Sequence, residues 1–209
     1  MGRIFTFIHA VQAGIAISIG GTAFLSIENR VAGAVFFTVG LFIIVTLGQN
    51  LYTGKVCYIF EKDREFCISV PIIWLGNLLG AWMTGMLLRL TRIGPGLAEK
   101  AGQLCTVKLN DSVLSIFILS VFCNILIYIA VENFNSNRHE IGKYAALFLG
   151  VPVFILCGFE HCVANMYYFS VAAAWSGKAF LYLLVMTAGN AVGGWIFPVV
   201  RRLKSKYAV

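Results

Sequence analysis

The chain has 209 residues, of which 59% are hydrophobic and 12% charged, with a mean hydropathy of +0.85. A soluble domain carries roughly twice that charge, so this composition excludes one and describes an integral membrane protein. The formal net charge of +7 belongs to loops and chain ends; the C-terminal run RRLKSK reads as a topogenic and lipid-headgroup patch and not as a nucleic-acid surface.

A helix needs roughly 20 apolar residues to cross about 30 Å of hydrocarbon. Six blocks separated by charged residues meet that length: 7–27, 31–54 (continuing past Lys55 to 60), 66–88, 112–131, 144–177 and 179–200. The first lacks a small-residue cleavage site before a polar region and is expected to be a retained helix, not a signal peptide. Six spans put both termini on one face. Nine basic residues (Arg3, Lys62, Arg64, Arg138, Lys143, Arg201, Arg202, Lys204, Lys206) fall there against six opposite (Arg30, Arg89, Arg92, Lys100, Lys108, Lys178). The positive-inside rule then predicts cytoplasmic termini in the cell membrane. The longest connection, residues 89–111, reads as a loop with a turn at Gly94-Pro95-Gly96.

The second block weakens at its middle, Leu47-Gly48-Gln49-Asn50-Leu51-Tyr52-Thr53-Gly54-Lys55. The third carries Gly76-Asn77-Leu78-Leu79-Gly80-Ala81-Trp82, and the sixth answers it 113 residues later with Gly189-Asn190-Ala191-Val192-Gly193-Gly194-Trp195. Gly, Asn, Gly and Trp at matching spacing indicate an internal duplication. One transmembrane domain, 1–209, would then hold two repeats, about 7–92 and 112–203. Each has an odd number of spans, so the two are inverted across the bilayer, an architecture of channels and transporters whose pathway lies between repeats.

The fifth block is too long for one span. Lys143 and Lys178 enclose 34 residues, about 51 Å as a single helix at ~1.5 Å per residue. A break near Gly158, matching the one in the second block, accounts for the excess, and such backbone is tolerated only against protein or a water-filled cavity. Glu160 and His161 sit at that break. Ionisable residues at this depth face a bundle interior or a pathway. On helical backbone His161 and Asn165 share a face and Glu160 points elsewhere, so His161 and Asn165 are expected in the pathway. Glu160 is expected against protein, near the positive end of a half-helix dipole, with Gly158 and Asn50 as structural residues of the breaks.

The six cysteines, Cys57, Cys67, Cys105, Cys123, Cys157 and Cys162, form no CxxC pair and read as small hydrophobes. No metal cluster, cofactor site, nucleophile–base pair or phosphate loop is apparent, so an enzyme is not expected.

Gly158-Phe159-Glu160-His161-Cys162-Val163-Ala164-Asn165-Met166 resembles the signature of the formate/nitrite transporter family of pentameric anion channels. The resemblance continues through residues 47–54, Gly76 to Ala81, Lys108 with Asn124 sixteen positions on, and Gly189 to Gly194. It implies an all-α, aquaporin-like protomer of six helices with the second and fifth broken, assembled as a homopentamer in lipid. The expected substrates are small monovalent anions, formate foremost, with nitrite or hydrosulfide. By resemblance His161 is the central histidine, Thr53 the threonine that approaches it, Lys108 a buried base on the outer side, and Asn124 and Asn165 pore-side amides. Leu51 and Phe159 are candidate constrictions, with core packing as the alternative. Three departures stand out: Asn50 where the family commonly has a carboxylate, a short connection at 170–178, and no lysine opening the first helix.

An anion meets a high barrier in a dry constriction, whereas its neutral acid meets a much lower one. Lys108 would draw the anion inward, and His161 with Thr53 would either solvate it as a fixed neutral donor or protonate it, making the event proton symport. The rival readings are an aquaporin-like channel for neutral solutes, which normally shows Asn-Pro-Ala pairs absent here, a haem-bearing subunit, which needs a second mid-span axial ligand, and a purely structural membrane protein.

Overall fold

The computed structural model describes residues 2–207; the side chains of residues 205–207, Lys206 of the basic patch among them, lie outside the described residues. The secondary structure among the described residues is helical throughout: α1 (Arg3–Ser26), α2 (Arg30–Thr46), α3 (Tyr52–Lys55) with a 3-10 turn Val56–Tyr58, α4 (Arg64–Arg89), α5 (Gly94–Leu109), α6 (Val113–Ser136), α7 (Glu140–Leu156), α8 (Cys162–Val171) and α9 (Gly177–Tyr207). Side-chain caps start several of them. The Asn29, Asp63 and Ser112 oxygens accept from the backbone N–H three residues on, opening α2, α4 and α6.

Four helices, α1, α4, α6 and α9 to Lys204, are long and apolar enough to cross a membrane. Lipid offers no hydrophobic force between helices, so close contact rests on small residues and van der Waals fit. α1 packs on α4 and α6 on α9 in this way. A Cβ at Gly80 would collide with the Val11 carbonyl oxygen, and one at Gly193 with the Val121 carbonyl oxygen. Residues such as Leu87, Leu114, Phe122 and Leu149 point outward and are exposed, which suits hydrocarbon.

The segment 89–111 corrects the sequence expectation of a loop. Residues 94–109 are helical, with Pro95 in the first turn, where its missing N–H is not needed and its fixed φ favours helix. Gly-Pro-Gly thus opens a helix here instead of turning the chain. Buried Leu97, Ala101 and Cys105 seat α5 on the bundle, and Lys108 comes at its last turn, where cationic charge meets the negative end of the dipole.

Two short helices, α3 and α8, follow interruptions of equal form. After Thr46 the chain passes through Gly48 at φ 65°, and after Leu156 through Gly158 at φ 71°. Only glycine adopts that region without strain. In both, the second residue after the cap reaches back into the helix it leaves: Gln49 N–H donates to Ile44 O and Phe159 N–H to Phe154 O, each at 2.9 Å. This is the Schellman stop, which satisfies carbonyls that a helix end would otherwise strand.

Candidate functional site

Extended backbone at mid-bundle needs hydrogen-bond partners, and two asparagines supply them. Asn77 of α4 accepts from Tyr52 N–H at 2.8 Å and donates to Ala10 O and Asn50 O at 2.8 and 2.9 Å. Asn190 of α9 accepts from Cys162 N–H at 2.9 Å and donates to Ser120 O and Glu160 O, both at 2.8 Å. Each amide ties the strand-like segment to two helices at once. These are the Asn residues of the recurring Gly-Asn motif, and both are fully buried.

His161 is the N-cap of α8, not a helical residue (φ −100°, ψ 114°). Ala164 N–H donates to its Nδ1 at 3.1 Å, and its Nε2 lies 2.9 Å from Thr53 Oγ1. A ring nitrogen that accepts carries no proton, so the network assigns the neutral ring's proton to Nε2, facing Thr53. Phe154 stacks on the imidazole, with centroids 5.8 Å apart. Thr53 and His161 are 0% and 2% exposed, which makes their contact a closed partition.

Cavities lie on either side of it. One of about 540 Å³ is lined by His161, Asn165, Glu160, Lys108, Phe159 and Arg30, among others. Another, of about 380 Å³, is lined by Leu51 and Gly54 on either side of Thr53, and by Lys55, Glu61, Glu132 and Arg201. Arg30 opens α2 and borders the first, while Ile44, Val45 and Gly48 at the other end of α2 border the second. They therefore lie toward opposite ends of α2.

In the larger cavity Lys108 Nζ meets Glu160 Oε2 at 2.6 Å, and the Asn165 amide donates to the same oxygen at 2.8 Å. This corrects the expectation that Glu160 turns away from His161. That argument assumed helical backbone at both residues, whereas the chain is not helical at 159–161, and both side chains line one cavity. Lys108 is thus not a free cation, since Glu160 neutralises it. Asn165 also donates to His161 O at 3.0 Å, while its Oδ1 is buried without a partner among the described residues.

Asn124 is not brought to either cavity. It is fully buried and ties α3 to α9, donating to Thr53 O at 3.1 Å and Asn190 O at 2.7 Å. Leu51 and Phe159 fall on opposite sides of the histidine, one per cavity, and Phe159 rests on Phe122 with centroids 5.7 Å apart. Asn50 lines neither cavity; its amide donates to Thr6 O at 3.3 Å. All six cysteines are free, and no group of three His, Cys, Asp or Glu among the described residues could hold a metal.

Two cations were not singled out in the sequence. Arg30 was counted only as a loop charge, yet it borders the larger cavity and donates to Leu156 O at 3.2 Å. Lys55 sits inside an apolar block and lines the smaller cavity. Its position mid-block, among residues that a span would leave apolar, was the available signal.

Residues 3–202 match the family model described as "Formate/nitrite transporter". The chain belongs to the formate/nitrite transporter family. Among relatives of this family, the "Uncharacterized transporter YrhG" of Bacillus subtilis (strain 168) is 30% identical over 186 residues, covering 81% of this chain and 69% of that protein. The "Probable formate transporter" of Methanothermobacter thermautotrophicus is 31% identical over 196 residues, with 80% and 71% covered. A solved structure described as "Pentameric formate channel with formate bound" superposes with a TM-score of 0.84 at 24% identity, covering 98% of this chain and 97% of that one. The protein is accordingly a multi-pass membrane protein of a transporter family, with the fold of its channels.

Proposed function

We propose that this protein conducts small monovalent anions, formate first and nitrite or hydrosulfide as relatives of it in size and charge, through the two cavities and across the His161–Thr53 contact. The carrying observation is the capped imidazole. With Nδ1 held by Ala164 N–H, the ring offers Nε2–H to whatever occupies the partition. A protonated ring would place a hydrogen on Nδ1 against that backbone N–H and forfeit the cap, so the geometry supports a fixed neutral donor over a proton shuttle. An anion crossing the partition exchanges water for this N–H and the Thr53 hydroxyl, which act where unscreened charge is most costly.

The architecture we propose is six spans in two inverted repeats, α2–α3 and α7–α8 forming the broken second and fifth within the single domain 1–209. Homopentameric assembly in lipid, with cytoplasmic termini, follows the named relatives and the basic-residue count. Asn165, Lys108 and Glu160 would act together at the mouth of the partition, Leu51 and Phe159 as its apolar collars, Gly158 and Asn50 as parts of the breaks, and Asn124 as a tie between α3 and α9.

Uptake of labelled formate into proteoliposomes at two external pH values tests this, with nitrite, hydrosulfide, acetate and glycerol as competitors. Saturable uptake that follows the formate gradient at both pH values and is blocked by small anions is expected. Uptake no faster than in empty liposomes overturns the formate assignment. Passage of glycerol with formate excluded would move the function to neutral solutes.

A further inference from the structure

The smaller cavity contains a cation to which the proposed pathway gives no role. Of the charged side chains lining it, Arg201 is bonded to both carboxylates: its Nη2 reaches Glu61 Oε1 at 2.8 Å, and Nη1 contacts Glu132. Glu132 also accepts from Tyr58 OH at 2.7 Å. Both acids are therefore committed. Lys55 lines the same cavity, two residues beyond Thr53, and its ammonium has no ion pair within 4 Å and no hydrogen bond to any described residue. Lys62, the remaining lysine there, is exposed at the surface.

A half-buried ammonium facing a cavity is costly unless something negative visits it. In the opposite cavity Lys108 has Glu160 as its counter-charge; Lys55 has none among the described residues. Gln49 lines the same space, and its Oε1 is buried without a partner among the described residues. Rotation of that amide to present N–H breaks no bond made by the oxygen, so a second donor is available at small cost. The cavity, the uncompensated cation and the adaptable amide together form an anion site at the end of the partition nearer the chain termini.

We propose that Lys55 is an anion-binding residue of this cavity, holding a small monovalent anion, a carboxylate or nitrite, next to the Thr53 side of the partition. This deepens the transport reading and rests on it for the anion's identity. It makes the pathway two-sited, with Lys55 as the terminal-side stop for an anion that His161 receives from, or passes to, the far side.

The test is site-resolved. Lysines of the full-length detergent-solubilised protein are acetylated with methyl acetyl phosphate, a small anionic reagent, and each is quantified by mass spectrometry with sodium formate, sodium nitrite or sodium gluconate present. Lys55 is expected to be modified in gluconate and protected severalfold by formate or nitrite, while exposed Lys178, which lines neither cavity, is unaffected. Equal modification of Lys55 under all three salts overturns the site, and so does absence of any modification there, which would mean that its amine does not face the cavity. In proteoliposomes Lys55→Met is expected to raise the half-saturating formate concentration for entry from the terminal face by about tenfold, the scale of one charge-assisted hydrogen bond. Lys55→Arg is expected to restore it. Protection of Lys55 in a protein that fails to carry formate would overturn the transport reading and leave the site standing. Formate uptake insensitive to Lys55→Met would do the reverse.

Discussion

The two interruptions, residues 47–51 and 157–161, share a scaffold and differ at the tip. Each begins with a glycine at positive φ and a Schellman stop, and each is fastened by one asparagine making three bonds to backbone at 2.8 to 2.9 Å. The N-cap of the short helix that follows is Leu51 in one and His161 in the other, and only the histidine caps with its side chain. The residue before it is Asn50 in one and Glu160 in the other. The parts that satisfy buried backbone, where any change strands polar groups, are alike in both. The tips differ, one an apolar wall and the other a donor beside a buried ion pair.

The scaffold can be broken on both sides equally. Asn190→Leu strands Cys162 N–H and Glu160 O and cuts the tie to Ser120 O of α6, and Asn77→Leu does the same to Tyr52 N–H, Asn50 O and the tie to Ala10 O of α1. At roughly 1–3 kcal/mol for each buried unsatisfied group, either variant should lose several kcal/mol. The expected result is collapse of monodisperse yield in size-exclusion chromatography for both. A tolerant Asn77→Leu would show that the two halves are not held alike.

The tip is expected to separate function from folding. His161→Leu copies the first interruption into the second. It should lower formate flux roughly 10- to 100-fold, the worth of a hydrogen bond to a charged group, and cost about 1 kcal/mol of stability through the lost cap. Flux and thermal melting measured on the same preparation would reveal the split. Glu160→Gln sharpens the contrast with Asn50 by releasing the Lys108 ammonium. Melting should fall by the equivalent of about 1–3 kcal/mol, and the half-saturating anion concentration should fall with it, because the freed cation now attracts the substrate. The smallest effect is expected at Arg201, which is 47% exposed. Exposed ion pairs contribute about 0.2–1 kcal/mol each, so Arg201→Met should shift melting slightly and leave the far-side residues untouched.

Helical class, membrane character and family were legible in the sequence because hydropathy and the nine-residue motif around His161 are local signals. α5 was not, since Gly94-Pro95-Gly96 has the same letters whether it turns the chain or opens a helix; only the buried stripe Leu97, Ala101, Cys105 decides. The direction of Glu160 was not legible because side-chain periodicity presumes a helix, and the backbone there is extended. Asn124 carried a family role but its amide is spent on Thr53 O and Asn190 O, a contact across more than 60 residues that no spacing announces. The pairing of Lys108 with Glu160, and the lack of one at Lys55 among the described residues, are likewise tertiary facts.

The central claim is that His161 acts as a neutral Nε2–H donor to an anion that keeps its charge. Reversal potentials in planar bilayers test it most directly, under a tenfold formate gradient at equal pH and then under a one-unit pH gradient at equal formate. The account predicts a formate-carried current whose reversal shifts by about 59 mV in the first case, the value for one charge per tenfold gradient, and by nothing in the second. Tracer uptake of formate with no accompanying current, or a reversal potential that follows pH, would contradict it and make the histidine a proton carrier.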